Sequence, residues 1–290
     1  MKTWILKLGI LTIFFLIALQ AGGQDTAEVS MVGKTVSADK TEIVYTASGS
    51  GKTAVIFIHG GFADRTFWSN QMKPFAKKYR VIALDLAGHG ESGKNRTRWN
   101  LVTFAEDVRA VMEKEKINRA VLVGNSLGGP VALETARLVP NKVVGIVAVD
   151  TFQSLSVQVP ADYFKKQAEA LRSDFTGTMR QMARTLVHAD ADPKLYACVE
   201  KKMLNHSSEL AAAMMESFAT SNMNMTETIK KLRHPIRCIN GDLYPTQVEQ
   251  NRAIYPDFDA VIIPHTGHYP MLERPELFNR HLEKILEKIE

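Results

Sequence analysis

Residues 120–129 of this chain read Ala-Val-Leu-Val-Gly-Asn-Ser-Leu-Gly-Gly, a short apolar run followed directly by a G-x-S-x-G pattern. A segment with helical spacing continues from this pattern to Leu138. A glycine-flanked serine between a strand and a helix is typical of a nucleophile elbow, in which a tight turn exposes the serine hydroxyl above the sheet. The positive end of the following helix dipole favours negative charge that develops beside it. The pattern therefore predicts Ser126 as a catalytic nucleophile.

Short apolar runs of the same kind flank this stretch on both sides. Such runs, rich in valine and isoleucine, indicate strands that helices cover on both faces, and segments with helical spacing lie between them. This alternation predicts an α/β fold with a mostly parallel sheet and right-handed crossovers. The predicted strands are 29–37, 42–47, 54–59, 79–85, 120–123, 143–150, 236–240 and 260–264. The predicted helices between and after them are 67–78, 101–115, 128–138 and 275–289.

The segment 155–232 interrupts the alternation, because it contains helical patterns and no convincing strand. Its helical patterns lie at 163–171, 178–187 and 208–217, and its methionines are Met179, Met182, Met203, Met214, Met215, Met223 and Met225. An insertion here would lie over the carboxyl edge of the sheet, where α/β proteins bind ligands. We therefore predict a helical lid at 155–232 on a core formed by 24–154 and 233–290. The methionines either mould the lid around apolar ligands or simply fill gaps within it.

The N-terminus has the order of a secretory signal peptide. Lys2 and Lys7 precede an uncharged apolar run at 8–19, and small residues at 21–23 come before Gln24. The run is shorter than the ~20 residues of a spanning helix. We predict a signal peptide at 1–23, an exported protein in the periplasm or outside the cell, and no stable membrane span after its removal. An uncleaved N-terminal anchor is the alternative.

The composition excludes several classes of function. The chain has 36 Lys+Arg against 31 Asp+Glu and a net charge of +5, which falls to +3 without residues 1–23. Dispersed charge of this size argues against a nucleic-acid partner. Two cysteines, Cys198 and Cys238, exclude a disulfide scaffold and a four-cysteine zinc site, although they leave one bridge open. The sequence contains no H-E-x-x-H, C-x-x-C or P-loop pattern, so we expect no cofactor and no metal. The oligomeric state stays open.

Four motifs together resemble the α/β-hydrolase superfamily, in its group of single-domain serine hydrolases that carry a lid. They are His59-Gly60-Gly61 after a strand, the stretch Asp-Leu-Ala-Gly-His-Gly-Glu-Ser at 85–92, the elbow at 124–129, and Gly267-His268 followed by Glu273-Arg274-Pro275-Glu276. Their order and spacing span almost the whole chain after residue 23. The resemblance implies the α/β-hydrolase fold, with an eight-stranded, mostly parallel sheet and catalytic residues in the chain order serine, acid, histidine.

The general base has to reach Ser126 from late in the chain. Both His265 and His268 follow the last predicted strand, and His268 matches the position that the resemblance implies. Four others, His188, His206, His234 and His281, are interpreted as solvated or hydrogen-bonded side chains. His59 is expected to brace the loop after its strand, and His89 belongs to a structural turn.

An acyl-transfer enzyme also needs two N–H donors aimed at the tetrahedral oxyanion. One is expected to be the backbone N–H of Leu127, which follows the nucleophile. The resemblance places the other on Gly61, with Phe62 as the alternative. A glycine at this point lets the backbone approach a substrate closely.

The acid is the point at which the sequence departs from the superfamily pattern. The resemblance places an acid three residues after Gly241, and that position is Tyr244. A neutral phenol cannot stabilise an imidazolium as a carboxylate does. Asp150, at the end of the predicted strand 143–150, is the first candidate, and Asp242 is the alternative. A Ser–His dyad without an acid is the third possibility.

These residues predict a secreted serine hydrolase that cleaves a small, largely apolar acyl compound, a carboxylic ester foremost, through an acyl-enzyme on Ser126. Serine rather than aspartate at the elbow argues against haloalkane dehalogenase and epoxide hydrolase chemistry. Two alternatives stay open. The elbow, with Asn125 before the nucleophile, resembles that of some carbon–carbon bond hydrolases. Tyr244 leaves room for a catalytically weak hydrolase-like protein that binds an apolar ligand.

Overall fold

The computed structural model describes residues 30–157, 159–220 and 226–289, and in this part of the chain eight strands form one sheet. They are β1 (Met31–Val36), β2 (Glu42–Ser48), β3 (Ala54–Ile58), β4 (Arg80–Leu84), β5 (Ala120–Asn125), β6 (Val143–Val149), β7 (Ile236–Gly241) and β8 (Phe258–Ile263). The predicted signal peptide at 1–23 lies outside the described residues. All eight predicted strands have a counterpart, with bounds that differ by a few residues at most.

The strands follow the order β1-β2-β4-β3-β5-β6-β7-β8 across the sheet. β2 pairs antiparallel with β1 and with β4, and the other neighbours are parallel. The predicted α/β-hydrolase architecture, with a mostly parallel eight-stranded sheet, is therefore confirmed. Since β4 and β5 lie on opposite sides of β3, the direction of winding reverses between β3 and β5. Ligands of open α/β sheets bind at the carboxyl ends of strands beside such a reversal.

Helices cover both faces of the sheet. Those described are α1 (Ser69–Ala76), α2 (Leu101–Lys114), α3 (Gly128–Leu138), α4 (Ala161–Ser173), α5 (Phe175–Leu186), α6 (Pro193–Met203), α7 (Ser208–Thr220), α8 (Thr226–Lys231), α9 (Val248–Ile254), α10 (Pro270–Glu273) and α11 (Pro275–Ile289). α2 packs against α3, whereas α1 packs against α10 and α11. Because each group covers one face, every residue of β3 and β5 is buried, which explains their continuous apolar sequences.

Five helices, α4 to α8, lie between β6 and β7, and we call this segment the helical insertion. α4, α5 and α7 overlap the three helical patterns predicted there, whereas α6 and α8 have no predicted counterpart. α6 is the longer of these two. Its start nevertheless has a sequence signal, because the Asp192 carboxylate accepts the N–H of Lys194 at 2.8 Å and Pro193 occupies the first turn. The bounds 155–232 and the covering role of a lid stay predictions.

The methionines of the insertion have a largely structural role where they are described. Met179, Met203 and Met214 are buried among packed side chains, which is the gap-filling role that thioethers serve well. Met182 and Met215 are partly buried against the same cluster. Met223 and Met225 lie outside the described residues.

Both cysteines are free thiols. Cys198 is exposed on α6, and Cys238 is buried in β7, where burial raises the pKa of its thiol. Within the described ranges, no helix has the length and apolar character needed to cross a bilayer.

Candidate active site

Ser126 stands on a strained turn between β5 and α3. Its backbone has φ +51°, a left-handed conformation that a serine adopts only when its surroundings enforce it. The turn is enforced by close packing, because a Cβ on Gly124 would lie 2.1 Å from the carbonyl oxygen of Gly128. The Ser126 N–H donates to the carbonyl oxygen of Val149 at 3.0 Å, which ties the turn to β6. The structure thus has the backbone geometry of a nucleophile elbow.

The loop after β3 passes directly beside the nucleophile. A Cβ built on Gly60 would lie 3.1 Å from the Ser126 Cβ, so only glycine allows this approach without a shift. A Cβ on Gly61 would meet nothing within 4 Å, which means that this part of the loop borders open space. Phe62 follows with φ +59° and a buried ring. The loop that contains both candidate oxyanion donors therefore adjoins the turn that contains Leu127.

His59 is a buried side chain beneath this loop. Its Nε2 accepts the N–H of Leu86 at 3.0 Å, and its Nδ1 lies 2.7 Å from the carbonyl oxygen of Gly60. Burial lowers the pKa of the imidazole, which favours its neutral form. Both ring nitrogens are thus engaged with main chain, in keeping with a brace.

His268 is paired with a buried carboxylate. The Nδ1 of His268 lies 2.5 Å from Oδ2 of Asp150, whose side chain is fully buried. The other oxygen, Oδ1, accepts the N–H of Gly241 at 3.0 Å. Asp150 directly follows β6 and has φ +44°, so a left-handed turn directs its side chain toward the loop after β8. A carboxylate held in this way fixes the tautomer of the histidine and leaves Nε2 without a proton.

The alternative acid, Asp242, serves a different purpose. Its two carboxylate oxygens accept the N–H groups of His265 at 2.9 Å and Thr266 at 3.0 Å. These bonds hold the loop after β8, and they lower the pKa of the Asp242 carboxyl. The carboxylate is thereby engaged away from the His268 ring, so the structure does not support Asp242 as its partner.

Tyr244, which stands at the position where the superfamily pattern expects an acid, is also turned away. Its side chain is exposed, and its hydroxyl donates to the carbonyl oxygen of Thr185 in the helical insertion at 3.1 Å.

Asn125 links the parts of the site through its side-chain amide. The Nδ2 donates to the carbonyl oxygens of Val149 at 3.0 Å and His268 at 2.9 Å. One buried amide thus connects the strand before Ser126, the strand before Asp150 and the main chain of His268. Sequence reasoning missed this role, because its only signal was the residue type beside the nucleophile.

A sequence profile of the alpha/beta hydrolase family matches residues 55–281, a range that contains every side chain described above. The chain belongs to this family.

Two solved structures of hydrolytic enzymes are similar to this hydrolase over most of its length. A thermophilic esterase of Thermogutta terrifontis is 25% identical with a TM-score of 0.79, over 89% of this chain and 99% of that one. A solved enzyme described as degrading N-acyl homoserine lactones is 26% identical with a TM-score of 0.73, over 86% and 99% of the two chains.

Curated relatives include larger proteins. The dihydrolipoyllysine-residue acetyltransferase component of the acetoin cleaving system of Pseudomonas putida is 26% identical over 280 residues, which are 92% of this chain and 72% of that protein. The aligned parts of the next two relatives cover 34% and 30% of their own lengths.

The helical insertion of the hydrolase holds the loop that carries His268. The carbonyl oxygen of Leu186, at the end of α5, accepts the His268 N–H at 2.7 Å. The Glu273 carboxylate accepts the N–H groups of Gly267 at 2.9 Å and His188 at 3.2 Å, and so joins the same two segments. Glu273 belonged to the motif that followed Gly267-His268, but its contact with the insertion could not be read from that motif.

The insertion also contacts the loops after β3 and β4 through the buried ring of His206. The rings of His206 and Phe62 lie 5.5 Å apart, and those of His206 and His89 lie 5.2 Å apart. Lys202 forms an ion pair with Asp64 in the loop after β3, with 2.5 Å between Nζ and Oδ2. Burial lowers the pKa of His206 to about 4 and that of His89 well below its usual value. The expectation that His206 is solvated or hydrogen-bonded was half right, because its Nδ1 contacts the Met203 carbonyl oxygen but its Nε2 has no partner in the part of the chain described.

This burial predicts that acid destabilises the hydrolase. Unfolded His206 titrates near 6.5, whereas folded His206 stays neutral to about pH 4. As the pH falls through this window the unfolded chain binds a proton that the folded chain does not, so the free energy of unfolding decreases. From pH 7.5 to pH 5 the free energy of unfolding should decrease in both proteins. We expect the decrease to be about 2 kcal/mol smaller in His206→Gln than in the parent, as measured by urea unfolding at each pH. Parallel pH profiles would show that His206 does not contribute.

Proposed function

We propose that this chain is a serine hydrolase that cleaves carboxylic esters of small, largely apolar acyl compounds through an acyl-enzyme on Ser126. The observation that carries the proposal is the pairing of His268 with the buried carboxylate of Asp150 at 2.5 Å. A nucleophilic serine needs a neutral imidazole that accepts its proton. Because Asp150 binds Nδ1 of His268, the nitrogen left to accept that proton is Nε2.

The first half of the reaction forms the acyl-enzyme. Ser126 Oγ attacks the ester carbonyl carbon while His268 Nε2 takes the hydroxyl proton. The carbonyl oxygen becomes an oxyanion, which the N–H groups of Leu127 and Gly61 stabilise. Collapse of the tetrahedral intermediate breaks the bond to the alcohol oxygen, and His268 returns the proton to that oxygen as the alcohol leaves.

The second half releases the acid. Water attacks the acyl carbon while His268 Nε2 accepts one of its protons, and the second tetrahedral intermediate expels the Ser126 oxygen. His268 then protonates Ser126 Oγ, and the carboxylic acid product departs. In both halves Asp150 stays ionised and stabilises the imidazolium through Nδ1.

An ester substrate is favoured by the similar proteins and by the site itself. One structural neighbour is described as an esterase, and another as degrading lactones, which are cyclic esters. The alternative of a catalytically weak protein that binds an apolar ligand was kept because Tyr244 stands where an acid is expected. The pairing of the Asp150 carboxylate with His268 argues against this alternative. The carbon–carbon alternative rested on Asn125, whose amide donates to main chain in this structure.

The preference for acyl chain length provides the test. We expect kcat/KM for p-nitrophenyl esters to rise from two to six carbons in the acyl chain, because the predicted lid would bring apolar side chains over the carboxyl edge of the sheet. Each methylene that becomes buried contributes about 0.8 kcal/mol, which is about fourfold in kcat/KM until the pocket is full. Rates with Ser126→Ala give the background to subtract.

A flat or falling profile would contradict an apolar acyl site. Inactivity on all esters, combined with cleavage of a carbon–carbon bond next to a carbonyl group, would favour the alternative reaction on the same residues.

We also propose that the protein is exported and that residues 1–23 are removed. The support is the order of charged, apolar and small residues in that stretch. Expression in a Gram-negative host should give a periplasmic protein. Its intact mass should equal that of a chain that begins at Gln24. Ile13→Arg, which interrupts the apolar run, should retain the full-length chain in the cytosol. A full-length mass in the periplasm, or equal export of both proteins, would contradict the proposal.

A further inference from the structure

A second group of side chains that can bind an ion lies outside the catalytic residues. His188 and Asp190 belong to the connection between α5 and α6, and His265 belongs to the loop after β8. Asp190 Oδ2 lies 3.2 Å from His265 Nδ1 and 3.7 Å from His188 Nδ1. One potential ligand atom from each of the three residues lies within 4.8 Å of the others.

These separations fit a small divalent cation. Zn²⁺ binds imidazole nitrogen and carboxylate oxygen at about 2.0–2.2 Å, and in tetrahedral geometry two such ligands are about 3.4 Å apart. The two measured separations bracket this value. His188 Nδ1 accepts the N–H of Asp190 at 3.1 Å. The metal would take the place of that weak bond.

Two of the three residues, His188 and His265, are held through their main chain before any ion arrives. The Asp242 carboxylate accepts the N–H of His265, which has φ +52°, and the Glu273 carboxylate accepts the N–H of His188. Such main-chain contacts limit the movement of the two segments and so reduce the entropy that an ion would have to overcome. The side chains of Asp190 and His265 are 58% and 71% exposed, so an ion can enter from solvent and keep a water ligand.

We propose that His188, Asp190 and His265 form a binding site for a first-row divalent cation, Zn²⁺ foremost, that joins the helical insertion to the loop carrying His268. The ion would cross-link the two segments three residues before His268. Two imidazoles and one carboxylate select Zn²⁺, Cu²⁺ or Ni²⁺ over Mg²⁺ and Ca²⁺, which prefer oxygen ligands. The inference does not depend on the ester chemistry, because it concerns binding alone.

The test is calorimetric titration of the full chain, carrying no histidine tag, with ZnCl₂ and with MgCl₂. We expect one Zn²⁺ per chain and no binding of Mg²⁺. At a Zn²⁺ concentration about 100 times the Kd, the melting temperature should rise by roughly 5 °C and return with EDTA. Co²⁺ in place of Zn²⁺ should give the visible absorption of a tetrahedral ion.

Three variants and one control locate the site. His265→Asn retains a residue that tolerates positive φ, Asp190→Asn retains the shape of the side chain, and His188→Gln retains a polar group of similar length. Each should weaken Zn²⁺ binding at least about tenfold, with an unchanged melting temperature in EDTA. His281→Gln, on α11 and remote from the cluster, should bind as the parent does. Absence of Zn²⁺ binding by the parent, or parental affinity in all three variants, would overturn the proposal.

Discussion

Replacing Ser126 with alanine is expected to lower the rate of ester hydrolysis by at least about 10⁴-fold, because no other group can form the acyl-enzyme. The variant retains the Cβ, and it adds no atom on the side where the Gly60 main chain passes close to the elbow. We expect an unchanged melting temperature and complete loss of labelling by a fluorophosphonate probe, measured with p-nitrophenyl esters and by intact mass.

Ser69→Ala provides the matched control. Ser69 is an exposed serine at the start of α1, outside the loops that form the site, so its loss should change neither turnover nor labelling. Turnover close to that of the parent in folded Ser126→Ala would exclude the proposed mechanism, and persistent labelling would assign the nucleophile to another residue.

Asp150→Asn is expected to lower kcat by about 10²–10⁴-fold. The asparagine oxygen can still accept the Gly241 N–H, but its amide would then present N–H groups to His268 Nδ1. That nitrogen would have to act as an acceptor, which places the ring proton on Nε2, where Ser126 needs a lone pair. The measurement is steady-state kinetics with a short p-nitrophenyl ester, beside thermal unfolding to confirm the fold.

Asp242→Asn is the matched comparison, because it makes the same chemical change in the loop after the neighbouring strand. It removes one of the two oxygens that accept the His265 and Thr266 N–H groups, and it leaves the pair of His268 with Asp150 intact. We expect a loss of stability and less than about a tenfold change in kcat. The reverse ranking of the two variants would assign the catalytic acid to Asp242, and two small effects would indicate a Ser–His dyad.

Most of the sheet could be predicted from local patterns. Strands such as β3 and β5 are buried at every position, so their apolar runs are continuous and stand out from the helices beside them. α6 and α9 were missed because they are short or polar and packing within the chain stabilises them more than their own sequence does. The burial of His206 was not predicted for a similar reason, since a histidine in a polar stretch shows no sign that another segment will bury it.

The residues of the candidate site show the same difference between what local sequence predicts and what depends on distant contacts. Ser126 could be predicted because the glycines that allow its turn stand beside it in the chain, and His268 because it follows a glycine in a recognisable loop. For the acid, the sequence favoured Asp150 but left Asp242 open, because the two residues follow adjacent parallel strands and lie at the same edge of the sheet.

The sequence by itself determined the succession of strands along the chain, the elbow and the histidine loop, because each depends on residues that are close together in the chain. Only the tertiary structure decided that Asp150 pairs with His268 while Asp242 holds the neighbouring loop. That choice depends on a left-handed turn at Asp150, on the Gly241 N–H beside its carboxylate, and on main-chain N–H groups of His265 and Thr266 that occupy Asp242. These partners lie 24 or fewer residues from Asp242 but 91 and 118 residues from Asp150, so only folding brings the acid to its histidine.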